Sequence, residues 1–275
     1  MKPINKADKN MDSLNNEMIT LSKYENPKEW ELIWEDSFSV PEIDSSKWNF
    51  VEGGWGFGNE ESQYYTARQE NARIEDGMLV LEARQEEFKD MAYTSAKLTT
   101  KGKAAWKYGR FSIRAKLPEG QGIWPAIWMM PEDMERYTGW PACGEIDIME
   151  QIGHQPDTVY GTLHYGVPHT YTGKSYQLPG NGKFSDDFHV FTLDWEPGEF
   201  RWYVDGVVYA VQNEWFSKSI GTEVQQTGYA PFDREFFMQF NLAVGGKWPG
   251  YPDETTQFPQ KMIIDYIRVY KKRDK

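Results

Sequence analysis

The sequence contains a single cysteine, Cys143, among its 275 residues. An internal disulfide and a thiolate metal cluster are therefore excluded, and Cys143 is interpreted as a small buried apolar side chain. No run of about 18 or more apolar residues occurs, so the sequence predicts no membrane-spanning helix. Residues 1–6 also lack the apolar core of a signal peptide. Either the protein is cytoplasmic or a signal peptide has been removed.

Histidine is scarce, and positive charge is in the minority. The four histidines show no i, i+4 pair of the kind that holds zinc on a helix, and no G-x-S-x-G motif is present. The formal net charge is −12. Such a chain repels nucleic acid, and the same argument disfavours sulfated or carboxylated polysaccharides. A neutral partner fits best.

Aromatic residues are abundant by contrast, with 12 Trp, 16 Tyr and 15 Phe. Some of them must fill a core, because aromatic side chains dominate core packing. So many tryptophans in an otherwise polar chain also suit a cleft that stacks on the flat apolar faces of sugar rings. Composition alone gives only this hint.

The pattern along the chain predicts one all-β domain. Residues 1–27 are polar and nearly free of aromatics, which predicts a flexible N-terminal tail, and residues 28–275 show no linker or repeat. Apolar side chains alternate in short segments, and Asp205-Gly206 between two such segments predicts a hairpin. About a dozen strands without a long helix predict a sandwich of two antiparallel sheets.

The segment Glu145-Ile146-Asp147-Ile148-Met149-Glu150 carries most of the information about function. In a helix, at about 100° per residue, the two glutamates would point roughly 140° apart. In a strand, Glu145 and Asp147 share one face, but Glu150 falls on the core face, where an unpaired carboxylate is costly. A β-bulge at Met149 would return Glu150 to the face of the other two acids.

Three acids on one face have two interpretations, a solvated strand surface or a catalytic site. Trp124, Trp128 and Trp140 lie upstream of the acidic segment, and this aromatic setting favours a site that cuts sugars. Retaining hydrolysis of a glycoside requires two carboxyl groups roughly 5–5.5 Å apart, and a curved, bulged strand can bring Glu145 and Glu150 together.

The same segment resembles the active-site signature of glycoside hydrolase family 16, and its extra residue before the last glutamate resembles the laminarinase-type members, endo-β-1,3-glucanases. The resemblance extends over residues 30–271. Its further motifs are Gly58–Thr66, Tyr108–Phe111, Gly122–Met129, Gly139–Pro141, Thr162–Gly166, Trp202–Gly206, Asn241–Gly246 and Asp265–Tyr270.

The resemblance implies a β-jelly-roll of two curved antiparallel sheets with a concave substrate cleft. It implies Glu145 as nucleophile, Glu150 as general acid/base and Asp147 as the assisting acid. The residues that it implies for substrate binding are Asn59, Arg110, Trp124, Trp128, Trp140, His164 and Trp248.

Three of these binding residues have structural alternatives. Trp128 is equally suited to core packing, Arg110 could pair only with a neighbouring acid, and a lone histidine such as His164 is often structural. The resemblance also implies a structural Ca²⁺ ion held by Asp265 with Glu35 as a second ligand, and both are equally suited to be surface acids. No cofactor is expected for catalysis.

The resulting hypothesis is an endo-acting, retaining β-1,3-glucanase that acts on laminarin-like neutral glucans. Alternatives are a mixed-linkage β-1,3-1,4-glucanase, an algal galactan hydrolase of the same family, and a non-catalytic glucan-binding protein. Retention of all three acids argues against binding alone. Because a polysaccharide does not enter cells, we expect an extracellular protein, and a monomer is the default expectation.

Overall fold

The computed structural model describes residues 29–218, 225–226 and 228–273. The predicted N-terminal tail, residues 1–27, lies outside these described residues. Within them, no helix is both long and apolar enough to cross a bilayer.

Strands are the predominant regular structure of the described residues, and their helical content is two single-turn 3₁₀ segments, Gly56–Gly58 and Glu135–Tyr137. The strands, in chain order, are β1 (Trp30–Asp36), β2 (Asn49–Phe50), β3 (Gln63–Tyr65), β4 (Ala72–Glu75), β5 (Met78–Phe88), β6 (Met91–Ser95), β7 (Lys97–Thr99), β8 (Ala105–Trp106), β9 (Gly109–Lys116), β10 (Ile123–Pro131), β11 (Glu145–Glu150), β12 (Thr158–Tyr165), β13 (Thr170–Gln177), β14 (His189–Glu196), β15 (Glu199–Val204), β16 (Val207–Gln212), β17 (Ser217–Lys218), β18 (Gln225–Gln226), β19 (Phe236–Val244) and β20 (Gln260–Lys272).

Two large sheets contain nearly all of these strands. The larger sheet has the order β16-β15-β14-β9-β20-β5-β6-β3, with β1 beside β20 and β4 beside β5. The smaller sheet has the order β13-β12-β11-β10-β19-β7-β2, with β8 beside β19. A two-stranded sheet, β17-β18, is separate. The acidic strand β11 therefore lies within the smaller sheet, flanked by β10 and β12.

Side-chain alternation explains how the two sheets pack together. In β9, Phe111 and Ile113 are fully buried in the hydrophobic core, whereas Arg110 and Arg114 point to the opposite, outer face of the larger sheet. This period of two is what a strand with one buried face requires. One contiguous cluster of buried side chains, contributed by both sheets, fills the space between them.

The predicted hairpin at Asp205-Gly206 is confirmed. These two residues join β15 to β16, and their φ angles are +49° and +77°. A two-residue turn with positive φ at both positions matches the twist of antiparallel strands, and Asp-Gly accommodates that conformation well.

The prediction of an all-β, two-sheet sandwich is confirmed. The sheets are not uniformly antiparallel, however, because β3 pairs with β6 in parallel. The number of strands also exceeds the dozen expected, since several two- and three-residue strands carry no alternation long enough to be recognised in the sequence.

Candidate active site

The strand β11 contains a bulge between its second and third acids. Asp147 pairs with Thr162 on β12 and Glu150 pairs with Tyr160, so two residues of β11 lie opposite the single residue Gly161. The pairing of β11 with β10 shifts by one residue at the same place. Ile148 and Met149, the two bulged residues, are both buried in the core. The extra core-facing residue places Glu150 on the same side of the sheet as Glu145 and Asp147.

The three acids line one pocket on the outer face of the smaller sheet. Its walls combine carboxylates, amides, aromatic rings and one ammonium group. The lining residues are Phe57, Asn59, Glu61, Tyr65, Lys97, Trp124, Ala126, Trp128, Glu145, Asp147, Glu150 and Asn241.

Each glutamate accepts a hydrogen bond from a tryptophan. The indole Nε1 of Trp140 donates to Oε2 of Glu145 at 2.7 Å, and Nε1 of Trp124 donates to Oε1 of Glu150 at 3.1 Å. A hydrogen bond to an ionised carboxylate is shorter and stronger than one between neutral groups. The two tryptophans therefore fix the orientation of both carboxyl groups.

Asp147 lies between the two glutamates and is more deeply buried, with 2% of its surface exposed. Its carboxyl group is in hydrogen-bond contact with that of Glu145, and its Oδ2 lies 3.3 Å from Nε2 of His164. The indole Nε1 of Trp202 donates to the backbone carbonyl of Asp147 at 2.9 Å. Asp147 is thus held through both its main chain and its side chain.

Burial raises the pKa of all three acids. The pKa of Glu145 is raised to about 8, first by burial and then by the charge of Asp147, while the N–H of Trp140 opposes the increase. Burial raises the pKa of Asp147 to about 7. Burial also raises the pKa of Glu150 well above its usual range, and the charges of both Asp147 and Glu145 add to this effect. Because Glu150 faces two like charges, it retains its proton when the other two acids ionise.

Two further ionisable residues of the pocket, Glu61 and Lys97, are not among the site residues predicted from the sequence. Glu61 is buried and accepts hydrogen bonds from Gln63 at 2.7 Å and Tyr65 at 3.0 Å, and burial raises its pKa. Lys97 is 8% exposed, and burial lowers its pKa to about 8 while Glu61 and Glu145 counteract the decrease. Glu61 lies inside the Gly58–Thr66 motif, whereas Lys97 lies in no motif and is brought to the pocket by the pairing of β7 with β19.

Most of the predicted substrate-binding residues lie in or beside this pocket. Asn59, Trp124 and Trp128 line it, and Trp140 and His164 contact the acids. The ring of Trp248 packs edge-on against that of Trp124, with 5.5 Å between centroids.

Trp128 faces the pocket rather than the main core. Its Nε1 donates to Oδ1 of Asn241 at 2.6 Å, and Nζ of Lys97 lies 4.4 Å from its ring centroid.

The assignment of Arg110 to the substrate site is wrong. Arg110 lies on β9 in the other sheet, with its side chain on the outer face. Its Nε and Nη2 donate to the two carboxylate oxygens of Asp194 at 2.6 and 2.7 Å, and its guanidinium lies 5.0 Å from the ring centroid of Trp30. Arg110 therefore pairs with a neighbouring acid, as its structural alternative predicted.

The structure gives no support to calcium binding by Glu35 and Asp265. Glu35 is bonded to Arg268 at 2.6 Å, and Asp265 is bonded to Arg114 at 2.8 Å. Calcium requires about six to eight oxygen ligands, and here a cation would first have to displace an arginine from each carboxylate. These two side chains do not fit the ion as they stand.

Among the described residues, one group of three side chains has the donor types and the spacing that a metal ion needs. Ligand atoms of Glu145, Asp147 and His164 all lie within 4.8 Å of one another. Their convergence has an explanation without a metal, because the carboxyl group of Asp147 contacts that of Glu145 and lies 3.3 Å from Nε2 of His164.

Comparison with known proteins agrees with this geometry. The family model described as glycosyl hydrolases family 16 matches residues 59–268. A beta-glucanase of Rhodothermus marinus is 43% identical over 264 residues, which cover 92% of this chain and 90% of that protein. A glucan endo-1,3-beta-glucosidase of Cryptopygus antarcticus is 43% identical, covering 87% of this chain and 91% of that one. The structure resembles the laminarinase catalytic domain from Thermotoga maritima MSB8 with a TM-score of 0.80, 47% identity and coverage of 90% of this chain and all of that domain.

Proposed function

The chain belongs to glycosyl hydrolase family 16, and from that premise we propose that it cleaves internal β-1,3-glucosidic bonds of laminarin-like glucans with retention of configuration. The fold is the β-jelly-roll of the laminarinase structures. The proposal depends chiefly on one observation: the bulge in β11 places Glu145, Asp147 and Glu150 in the same aromatic-lined pocket.

In the first half of the proposed reaction, the carboxylate of Glu145 attacks the anomeric carbon and forms a covalent glycosyl ester. Glu150 donates its proton to the glycosidic oxygen, so the bond to the leaving sugar breaks and that sugar departs with a hydroxyl group. Support for this division comes from the hydrogen bonds. Glu145 accepts the shorter, 2.7 Å bond that stabilises an anion, whereas Glu150 faces two neighbouring carboxylates that favour its protonated form.

In the second half, Glu150 accepts a proton from water, and the water oxygen attacks the anomeric carbon. The ester bond to Glu145 breaks, and both glutamates return to their starting states. Two inversions at one carbon give net retention. Because the intermediate is an ester, a sugar hydroxyl can replace water, which gives transglycosylation products from the same site.

Asp147 is proposed to assist both glutamates. Its contact with Glu145 allows the two carboxyl groups to share one proton, so that Glu145 can ionise as the substrate displaces water. The negative charge that this pair carries, on whichever of the two carboxyl groups has ionised, helps to keep Glu150 protonated. Pairs of carboxyl groups whose surroundings separate their pKa values commonly divide the acid and base roles in this way.

The electrostatics of the pocket favour an uncharged substrate. Four carboxyl groups, those of the three acids and of Glu61, surround a single ammonium group, that of Lys97, among its lining residues. A sulfated sugar would be repelled, whereas the tryptophan rings can stack on the apolar face of a neutral glucose unit. Because such a polymer remains outside cells, we propose that the protein acts extracellularly, and we propose that it does so as a monomer.

Hydrolysis of defined polysaccharides tests the proposed specificity. Reducing-end release should be fastest on laminarin, slower on mixed-linkage β-1,3-1,4-glucan, and absent on agarose and carrageenan. An endo-acting enzyme should produce a ladder of oligosaccharides from the earliest time points. Faster cleavage of either galactan, or release of glucose alone, would overturn the assignment of substrate or mode of action.

A further inference from the structure

A second histidine, His169, is hydrogen-bonded to His164 beside the active-site pocket. It is the last residue of the four-residue loop 166–169, which joins β12 to β13 between the paired residues Tyr165 and Thr170. The loop is fixed by the hydroxyl of Thr170, which donates to the carbonyl of Pro168 at 3.2 Å. His169 belongs to none of the motifs that support the family resemblance.

The two imidazoles form a direct hydrogen bond. Nδ1 of His164 lies 2.9 Å from Nε2 of His169, and the rings are nearly parallel, at 23°, with centroids 5.2 Å apart. The other nitrogen of His164, Nε2, lies 3.3 Å from Oδ2 of Asp147. Polar contacts therefore link His169 through His164 to the middle acid. The first contact is a hydrogen bond, and the second is a close approach in which Oδ2 of Asp147 accepts no hydrogen bond from the described residues.

His169 also packs against Trp140, which is hydrogen-bonded to an acid of the cluster. Its ring centroid lies 4.8 Å from that of Trp140, the residue whose indole donates to Glu145. A single side chain thus packs against the donor of the nucleophile's hydrogen bond and bonds to the partner of the assisting acid. Neither contact requires His169 to touch the substrate.

The protons of this path are constrained by its geometry. When Nε2–H of His164 donates to Asp147, a neutral His164 has only a lone pair at Nδ1, so His169 must donate from Nε2. When His164 is cationic, its Nδ1–H donates and His169 accepts. When both rings are cationic, two N–H groups face each other and the bond breaks. The pair therefore holds at most one positive charge while the bond is intact.

From these contacts we infer that His169 is a positioning residue for the hydrolytic reaction, which holds Nε2–H of His164 towards Asp147 and the indole of Trp140 towards Glu145. The expected effect of His169 on turnover rests on the proposed function. Its expected effect on the orientation and tautomer of the His164 ring does not. Without His169, the His164 ring can rotate or change tautomer, and the proton shared by the acids is no longer fixed in place.

The groups that face the pair are few among the described residues. From β11, the acids Glu145, Asp147 and Glu150 all interact with His164. From β13, the ring of Tyr171 lies 5.8 Å from that of His164 and 6.2 Å from that of His169. His169 is exposed, and the partial burial of its ring together with the neighbouring His164 lowers its pKa. Both influences favour the neutral form of His169, which is the form that donates to His164 in the arrangement above.

Kinetics of three variants on laminarin, between about pH 5 and pH 8, test the inference. In His169→Ala, kcat should fall roughly tenfold, less than the loss of about 10²- to 10⁴-fold expected when an acid–base group is removed, and KM should change little. His169→Gln offers both a donor and an acceptor, so it should restore most of kcat while the acidic limb of the pH profile shifts. His189→Gln is the matched control, because His189 bonds to Asp205 in the other sheet, and it should match the wild type.

Nitrogen-15 spectra of the imidazoles test the same inference without substrate. In the wild type, the signals of neutral His164 should show one tautomer with the proton on Nε2, and in His169→Ala they should show a tautomer mixture. Unchanged His164 signals together with unchanged kcat in His169→Ala would overturn the inference. A wild type that does not cleave laminarin would instead contradict the proposed substrate, and the spectra would still decide the role of His169.

Discussion

The indole N–H of Trp140 points at Glu145 over 2.7 Å while 49% of the Trp140 surface remains exposed. The same side chain therefore holds the proposed nucleophile with its edge and offers an open ring face to a sugar. Removing the N–H and removing the ring should have separable effects.

Trp140→Phe keeps an aromatic face but removes the hydrogen bond. Loss of a hydrogen bond to a charged group costs about 1.5–3 kcal/mol, which corresponds to a decrease in kcat of roughly 10- to 150-fold if the bond is fully used in the transition state. Because the N–H stabilises ionised Glu145, its loss should also raise the pKa of Glu145 and move the acidic limb of the kcat/KM profile to higher pH. Trp140→Ala should in addition raise KM. Equal effects of the two variants on KM would contradict the dual role.

The stability of the protein should depend on pH through its buried acids. The pKa of Glu145 is about 8 in the folded protein, above its usual value, so the folded state binds more protons than the unfolded state between about pH 4.5 and pH 8. The free energy of unfolding should therefore fall as pH rises through that window. Glu145→Gln cannot ionise, and it should be more stable than the wild type by about 1–2 kcal/mol at pH 8, with little difference at pH 4.

Thermal unfolding at both pH values measures this effect. Glu119→Gln serves as the control, because Glu119 pairs with Lys183 on the surface. A stabilisation of Glu145→Gln that did not grow with pH would contradict a raised pKa of Glu145.

Lys97 should lower the pKa of Glu145, because its ammonium group is the one Lys or Arg cation among the residues that line the pocket and it interacts with the charge of Glu145. In Lys97→Met, the pKa of Glu145 should rise, and the acidic limb of the pH profile should move upward by about half a unit to one unit. Lys97→Arg keeps the charge and should retain the wild-type limb. A shift of the same size in both variants would point to altered packing against Trp128 instead of lost charge.

Arg110 should contribute to stability and not to substrate binding. Removing one partner of a largely buried ion pair leaves the other uncompensated, at a cost of about 3–5 kcal/mol. Arg110→Met should therefore unfold at a markedly lower temperature, while kcat and KM on laminarin at low temperature stay close to those of the wild type. An increase in KM without loss of stability would contradict this prediction and would indicate that Arg110 binds substrate.

Much of the acid strand could be predicted from sequence, because alternation of polar and apolar side chains is local information. The strand is defined by Ile146 and Ile148 on one face and by Glu145 and Asp147 on the other. A regular strand would place Glu150 on the face of the isoleucines, so a bulge is required to bring it to the face of the other acids. The hairpin at residues 205–206 could also be predicted from the sequence, because its turn conformation depends on two adjacent residues.

The misplacement of Arg110 and the omission of Lys97 both concern which strands become neighbours. Arg110 was placed by its motif in the cleft, but β9 pairs with β14 and β20 in the other sheet. Lys97 lies 48 residues before Glu145, and nothing local indicates that β7 joins the smaller sheet next to β19. Likewise, the contact between His164 and His169 requires a tight hairpin whose geometry the alternation does not specify.

The stereochemistry of azide rescue tests the central assignment most directly. With an aryl β-laminaribioside that carries a good leaving group, Glu145→Ala should be rescued by azide to give the α-glycosyl azide, because azide displaces the leaving group in one inversion. Glu150→Ala should give the β-glycosyl azide, because azide intercepts the ester on Glu145. Exchange of the two products between the variants would contradict the roles assigned to Glu145 and Glu150, and formation of the same anomer by both would contradict double displacement at this site.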